Sequence, residues 1–305
     1  MNNIYDLIII GTGPAGYTSS IYASRYKLKH LLIGKLSGGL ATEAIKICNF
    51  PSEINISGLE LMEKFKKTVK FQGENEIIDE VIDLSKDKNI FKVTTRNKNE
   101  YFSKTILLAI GTERSKLNLK DEEKFIGKGI TYCTTCDGPL YKSKTVAVIG
   151  GCDAANTSSL YLSKIASKVY QIYRKDNLRG DQECINQIKS IKNIEVIYNQ
   201  TIKELKGKDR LESIVLDDGK EIKIDGLFIE IGSVPNAIFT NKLGIKTDSN
   251  GFIIVDQAQK TNIDNIWAAG DITTNSNGFR QIITACAEGA VAAESIFKTL
   301  MKKNY

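Results

Sequence analysis

The chain has 305 residues, 42% hydrophobic and 26% charged, with a formal net charge of +6. That is room for about two domains with full-sized cores, and the balance excludes a disordered or fibrous protein. The charge is spread rather than blocked, which argues against a nucleic-acid-binding face; no apolar run is long enough to cross a bilayer.

In chain order, the first element is an apolar strand over residues 5–10, leading into Gly11-Thr-Gly13-Pro14-Ala15-Gly16 and a helical pattern over 17–26. This is the form of a dinucleotide-binding turn. The first glycine makes the tight turn, the second lets backbone approach a pyrophosphate, and the third lets helix and strand pack closely. The helix N-terminus adds N–H groups and positive dipole. A strand over 29–33 follows, then a polar turn at 97–99 and an apolar strand ending at Ala109-Ile-Gly111-Thr112.

A second copy begins at the strand over 145–149, which runs into Gly150-Gly151-Cys152-Asp153-Ala154-Ala155. The offset of 139 that carries Gly11 onto Gly150 also carries Thr18-Ser-Ser20 onto Thr157-Ser-Ser159 and Tyr22 onto Tyr161. The later halves correspond too: Asp217-Asp-Gly219 is a polar turn, and Glu230-Ile-Gly232-Ser233 closes an apolar strand. Two related nucleotide-binding domains are therefore expected. Beyond them come Asn265-Ile-Trp-Ala-Ala-Gly270-Asp271 and a helix over about 281–300. Asp271 can accept hydrogen bonds from a sugar-alcohol chain or cap a helix. Polar connectors over 113–124 and 233–242 read as the places where one domain leaves and re-enters the other.

Between the two units lies Thr131-Tyr-Cys133-Thr-Thr-Cys136-Asp137-Gly138. Thiols so spaced can close a small disulfide and ionise near neutrality. The amino terminus enters its first strand without a cleavage site, so a cytoplasmic, reducing setting is expected, where a lasting structural bond is the poorer explanation. Asp137 offers a proton donor or acceptor. From spacing alone the pair is either redox-active or two buried cysteines. Cys48, Cys184 and Cys286 read as small apolar residues, and His30, the one histidine, as structural or exposed. No zinc site is expected without a second pair or more histidines.

Residues 11–16, the Cys133–Gly138 segment, the second glycine turn, Gly270-Asp271 and Arg280-Gln281 stand in the order found in low-molecular-weight thioredoxin reductases, a class of FAD-dependent pyridine nucleotide-disulfide oxidoreductases. The chain resembles that family over essentially its whole length. The resemblance implies an α/β fold of two Rossmann-like, three-layer domains, the second inserted into the first. Residues 1–115 and 240–305 would bind FAD, and 116–239 would bind NAD(P) and carry the redox-active cysteine pair. It implies a homodimer whose substrate is thioredoxin or a thioredoxin-like protein, with no membrane or nucleic-acid partner.

By motif position, Cys136 would sit against the flavin, Cys133 would attack the thioredoxin disulfide, and Asp137 would relay protons. Gly11, Gly13, Pro14, Ala15, Gly16, Gly38, Gly39 and Leu40 would line FAD, with Asn49, Gly111, Gly270, Asp271, Arg280, Gln281 and Ile282. Gly150, Gly151, Asp153, Ala154, Arg174, Lys175 and Arg179 would hold NADPH, the two arginines and the lysine at its extra phosphate. Hydride would pass from nicotinamide to flavin, and electrons from flavin to the cysteine disulfide and on to thioredoxin by thiol–disulfide exchange. The connectors would act as hinges.

The chain departs from the family pattern in places. Cys152 replaces the glycine at which backbone meets the pyrophosphate, and Thr157 and Ser158 replace two glutamates. Tyr173 replaces a histidine, Leu40 a glutamine and Ile110 a threonine. Cys152 keeps open an altered donor, NADH or reduced ferredoxin, and a flavin-bound redox sensor without turnover.

Overall fold

The computed structural model describes residues 4–44, 47, 49–74, 76–235 and 239–302, and of residues 135, 136 and 233 the backbone alone. Cys48 and the Cys136 side chain lie outside the described residues. The chain divides into two compact units, Met1–Glu113 with Val234–Tyr305, and Arg114–Ser233. The crossings fall at 113/114 and 233/234, against the 115/116 and 239/240 boundaries expected from sequence.

The first unit opens with β1 (Ile4–Ile10), α1 (Pro14–Arg25), β2 (His30–Gly34), α2 (Gly58–Phe71) and β3 (Glu76–Ile78). It continues through β4 (Val81–Asp87), β5 (Ile90–Thr95) and β6 (Glu100–Leu108) to the crossing strand β7 (Thr112–Arg114). β1 is buried on both faces, as an interior strand of a parallel sheet requires. Pro14 opens α1, where its missing N–H costs nothing, and Ser57 and Glu60 form a reciprocal capping box on α2.

The second unit runs α3 (Glu122–Phe125), β8 (Ile130–Thr131), α4 (Thr134–Asp137), β9 (Thr145–Ile149), α5 (Asp153–Ser163), β10 (Lys168–Tyr173) and α6 (Gln182–Ser190). Then follow β11 (Ile194–Tyr198), β12 (Ile202–Lys206), β13 (Ser213–Leu216), β14 (Glu221–Lys223) and β15 (Gly226–Ile229). The chain returns through β16 (Ser233–Pro235) to the first unit's α7 (Thr240–Leu243), β17 (Ile266–Ala268) and α8 (Ile282–Lys302).

In the first unit the sheet order is β3-β2-β1-β6-β5-β4, with β17 paired to the upper part of β6, where Ile266 faces Ile106. In the second it is β11-β10-β9-β15-β8, all parallel, with β12-β13-β14 as a separate antiparallel sheet. The repeat is thus topological: β1 lies between β2 and β6 as β9 lies between β10 and β15. In sheets of this order the switch point, beyond the carboxyl ends of β1 and β9, is where a ligand binds.

Each unit has three layers. In the first, Leu7, Ile9, Leu32 and Leu107 face Ala15, Leu61, Ala292 and Ile296 of the helices. The alternate residues Ile8, Ile10, Ile33 and Ile106 face Leu84, Phe91, Val93 and Ile253. In the second, Val146, Val148 and Phe228 meet Ala155 and Leu162 of α5, and Ala147, Ile149 and Leu227 meet the antiparallel sheet. One face of each sheet therefore carries helices and the other a β-rich layer.

Both crossings fall within the polar stretches expected as connectors, and the rest of the first stretch is packed. Within 116–125, the backbone N–H groups of Leu117 and Leu119 donate to Glu122, a carboxylate with 3% exposure, and Phe125 enters the core. A buried carboxylate that satisfies loop amides makes a charged sequence fold as part of the second unit. The crossings themselves are correspondingly narrow.

Candidate functional site

The first glycine turn assigns each glycine a separate task. Gly11 has φ +121°, and a Cβ there would lie 2.0 Å from the Ala109 carbonyl oxygen. A Cβ on Gly16 would lie 1.8 Å from the Gly11 carbonyl oxygen, so α1 sits directly on the turn. A Cβ on Gly13 would meet nothing within 4 Å. Its backbone is extended (φ −83°, ψ −172°) and allows a side chain, yet the space beside it is open at the N-terminus of α1. Ala15, by contrast, is a packing residue with 4% exposure. Its carbonyl faces Gly289 of α8, and the Ser19 hydroxyl donates to the Gly289 carbonyl at 2.9 Å.

A hydrogen-bonded group fixes the loop beside this turn. The Tyr17 hydroxyl donates to Glu76 at 2.7 Å and accepts from the Gly38 N–H at 3.1 Å; Ser37 donates to Glu76 and Lys66 pairs with it at 2.6 Å. Burial first, then the Glu76 carboxylate, holds the Tyr17 phenol well above its ordinary range, so it stays protonated. The Gly38 N–H also donates to the Thr12 carbonyl, and Gly39 lies over Gly13. Half-buried Leu40 follows in a short 3-10 turn, Gly39–Glu43.

The carboxyl-terminal segment completes the cluster within the same unit. Asn49 donates to Gln281 at 3.0 Å across 232 residues. Gly270 has φ +83°, and its N–H donates to Glu288 of α8 at 2.8 Å. Glu288 also accepts from Thr273 and Ser276. Sequence reading missed this residue. The available signal was its position with Ala285, Gly289 and Ala292 on the buried face of α8.

Asp271 caps no helix, and among the described residues its carboxylate accepts no hydrogen bond. Burial pushes its acid above the ordinary range, opposed by Arg280 and reinforced by Glu288. Arg280 stacks 3.6 Å over the Phe252 ring and donates to the Asp271 carbonyl. Half-buried Ile282 begins α8 and packs on the helix-side core; Gly111, φ +59°, has open space beside it.

In the second unit the turn differs. Gly150 keeps the left-handed conformation, φ +139°, with its Cβ position 2.3 Å from the Glu230 carbonyl oxygen. Gly151 is pressed by the Tyr173 ring, 2.3 Å from where its Cβ would be. Cys152 caps α5 with the extended backbone of Gly13 (φ −114°, ψ −176°), and its exposed side chain stands where the first turn is open. The Asp153 carboxylate accepts from the Asp181 N–H at 2.7 Å and so fixes the 179–181 loop, while Ala154 is exposed on the first turn of α5. The Arg179 N–H donates to the Gly151 carbonyl. Arg174, Lys175 and Arg179 are exposed near that turn and make no salt bridge with a described residue.

The cysteine segment lies in this unit. Cys133 is disulfide-bonded and immediately precedes α4. The Thr131 hydroxyl donates to the Asp137 carboxylate at 2.5 Å and accepts from the Cys133 N–H at 3.1 Å. At the other side, Thr134 and Ser158 donate to buried Glu230 at 3.1 and 3.0 Å. Cys152 is free and exposed, and Cys184 and Cys286 are free and half-buried, their thiols raised mainly by burial. His30 is buried between Ser20 and the Leu28 carbonyl, a structural place.

Residues 5–289 match the pyridine nucleotide-disulphide oxidoreductases. The chain belongs to that family. It is 37% identical over 303 residues to the thioredoxin reductase of Treponema pallidum, covering 97% of both chains. The thioredoxin reductase of Lactococcus lactis superposes with a TM-score of 0.92 at 33% identity, over 98% of this chain and 99% of that one. A ferredoxin-flavin thioredoxin reductase of Clostridium acetobutylicum matches with a TM-score of 0.54 at 32% identity, over 98% and 99%. The fold is that of the thioredoxin reductases, with two Rossmann-like dinucleotide domains.

As a member of this family the chain is a flavin-dependent oxidoreductase acting on a disulfide, and the family implies FAD and a nicotinamide cofactor. The first unit fits FAD: an open cradle at Gly13, a helix N-terminus for the pyrophosphate, and a half-buried Asp271 carboxylate without a protein donor among the described residues. The second unit fits a nicotinamide nucleotide less fully, because Cys152 fills the matching cradle. No helix among the described residues is long and apolar enough to cross a membrane.

Proposed function

We propose that the chain is a thioredoxin-disulfide reductase that takes electrons from NADPH and reduces thioredoxin, or a thioredoxin-like protein, through a Cys133–Cys136 pair. The observation that carries this reading is the disulfide-bonded Cys133 at the head of α4, with Asp137 on the same turn. Bound FAD supplies two-electron transfer between a nicotinamide and a disulfide. Gly11, Gly13 and Gly16 would admit its pyrophosphate to the N-terminus of α1, and Asp271 would accept from its sugar-alcohol chain. Arg174, Lys175 and Arg179 would meet the extra phosphate of NADPH.

In the reduced pair, the Cys133 thiolate attacks a sulfur of the substrate disulfide and forms a mixed disulfide. Cys136 then attacks the Cys133 sulfur, and the substrate leaves as a dithiol. Asp137, oriented by Thr131, relays a proton to the departing thiolate. The working assembly is a cytoplasmic homodimer.

The test is anaerobic flavin bleaching with NADPH, NADH or reduced ferredoxin in turn, followed by thioredoxin. NADPH bleaching with thioredoxin-dependent reoxidation is the expected result; no reduction of thioredoxin with any donor ends the enzyme reading and leaves a redox sensor. Cys136→Ser should keep FAD and lose disulfide reduction. A second reading, with NADH or ferredoxin as donor, is favoured by the Cys152 side chain in the second turn.

A further inference from the structure

We infer that Glu230 is a positioning residue for the redox turn, holding the cysteine pair toward its disulfide form and so making its dithiol a stronger reductant. The inference rests on the cysteine-pair reading above. Glu230 follows β15 and is 7% exposed. One carboxylate oxygen, Oε2, takes the Arg114 guanidinium at 3.1 Å. The other, Oε1, accepts from Ser158 of α5 at 3.0 Å and from Thr134 at 3.1 Å. Thr134 is the residue directly after Cys133 and the first of α4. The turn is tied at its other side by Thr131 of β8, which contacts both the Cys133 N–H and the Asp137 carboxylate. Since β8 pairs with β15, Phe228 opposite Thr131, both tethers arise from neighbouring strands of one sheet.

One physical effect follows. Reduction breaks the S–S bond, takes up two electrons and two protons from the flavin couple and its surroundings, and frees the turn. A turn held by Glu230 gains less freedom on that step, so the disulfide is favoured relative to the dithiol. This lowers the potential of the couple, which favours passing electrons on to a substrate disulfide.

The test compares two buried hydroxyls that donate to the same oxygen, one attached to the turn and one not. The flavin-loaded Thr134→Val and Ser158→Ala proteins are equilibrated without oxygen in graded mixtures of reduced and oxidised dithiothreitol. Thiols are then trapped with a maleimide, and the peptide spanning 133–136 is weighed. Losing one hydrogen bond to a carboxylate should shift Thr134→Val toward the dithiol by about threefold to tenfold. That corresponds to about 15 to 30 mV. Ser158→Ala should stay with the wild type, and Thr134→Ser, which keeps the donor, should restore the wild-type value. If Thr134→Val does not move, or moves together with Ser158→Ala, the positioning role is wrong while the cysteine reading stands. If the wild-type peptide never yields a dithiol, the cysteine reading falls and this inference with it.

Discussion

Two alanine substitutions three residues apart should separate folding from ligand binding in the first turn. In Gly16→Ala the new Cβ would lie 1.8 Å from the Gly11 carbonyl oxygen, so α1 must move away from a backbone atom of the turn. Overpacking of that kind costs about 1–3 kcal/mol. In Gly13→Ala nothing lies within 4 Å and φ is −83°, so the methyl group meets no protein atom. An alanine N-cap is weaker than glycine, but the substitution also stiffens the unfolded chain by about 0.4–1 kcal/mol. The stability of flavin-free Gly13→Ala should therefore lie within about 1 kcal/mol of the wild type. Its FAD affinity should fall more than about tenfold, or about 1.4 kcal/mol, because the methyl occupies the cradle. Urea unfolding of the stripped proteins and titration with FAD, followed by flavin fluorescence, measure the two quantities. A Gly13→Ala protein that unfolds as early as Gly16→Ala, or binds FAD undiminished, would refute the assignment of that space to a ligand.

Cys152→Gly should reopen the second cradle and lower the KM for the nicotinamide donor by about threefold or more at similar kcat, the signature of a change in uniform binding; an unchanged KM places the thiol clear of the cofactor. The folded protein holds the Asp271 proton more tightly than the unfolded chain, so this group's contribution is present at acid pH and lost as pH rises through its raised value. Flavin-free Asp271→Asn should accordingly be more stable than the wild type at pH 7, with the gain vanishing at about pH 4 and below, as read by urea unfolding at both. Glu288→Ala strips the acceptor from the Gly270 N–H, Thr273 and Ser276 and should cost at least about 2 kcal/mol in the same assay.

The strand–turn–helix units were legible because they combine local signals: apolar runs, glycines at fixed spacing and a helix start at Pro14 or Asp153. The offset of 139 made the second unit readable from the first, down to Cys152 in place of Gly13. Buried carboxylates were not legible. Glu122, Glu230 and Glu288 look like ordinary surface charges until donors from distant segments converge on them, and Thr134 meets Glu230 across 96 residues. Asn49 and Gln281 were both singled out, yet their mutual hydrogen bond depends on closure of a discontinuous unit. The β-rich third layer was also hidden, since the short strands β12 and β14, which flank apolar β13, carry mixed polarity.

The division of the chain has a consequence for its synthesis. Residues 114–233 are contiguous, and their parallel sheet can close as soon as β15 has left the ribosome. The first unit cannot finish then. The upper edge of β6 waits for β17, and the packing face of α1 around Ala15 and Ser19 waits for α8. During translation the half that begins first is thus completed last, with an apolar helix face and a sheet edge open while the inserted half is being built. Truncation between residue 233 and the start of α8 should leave a folded second unit joined to an unfinished first one.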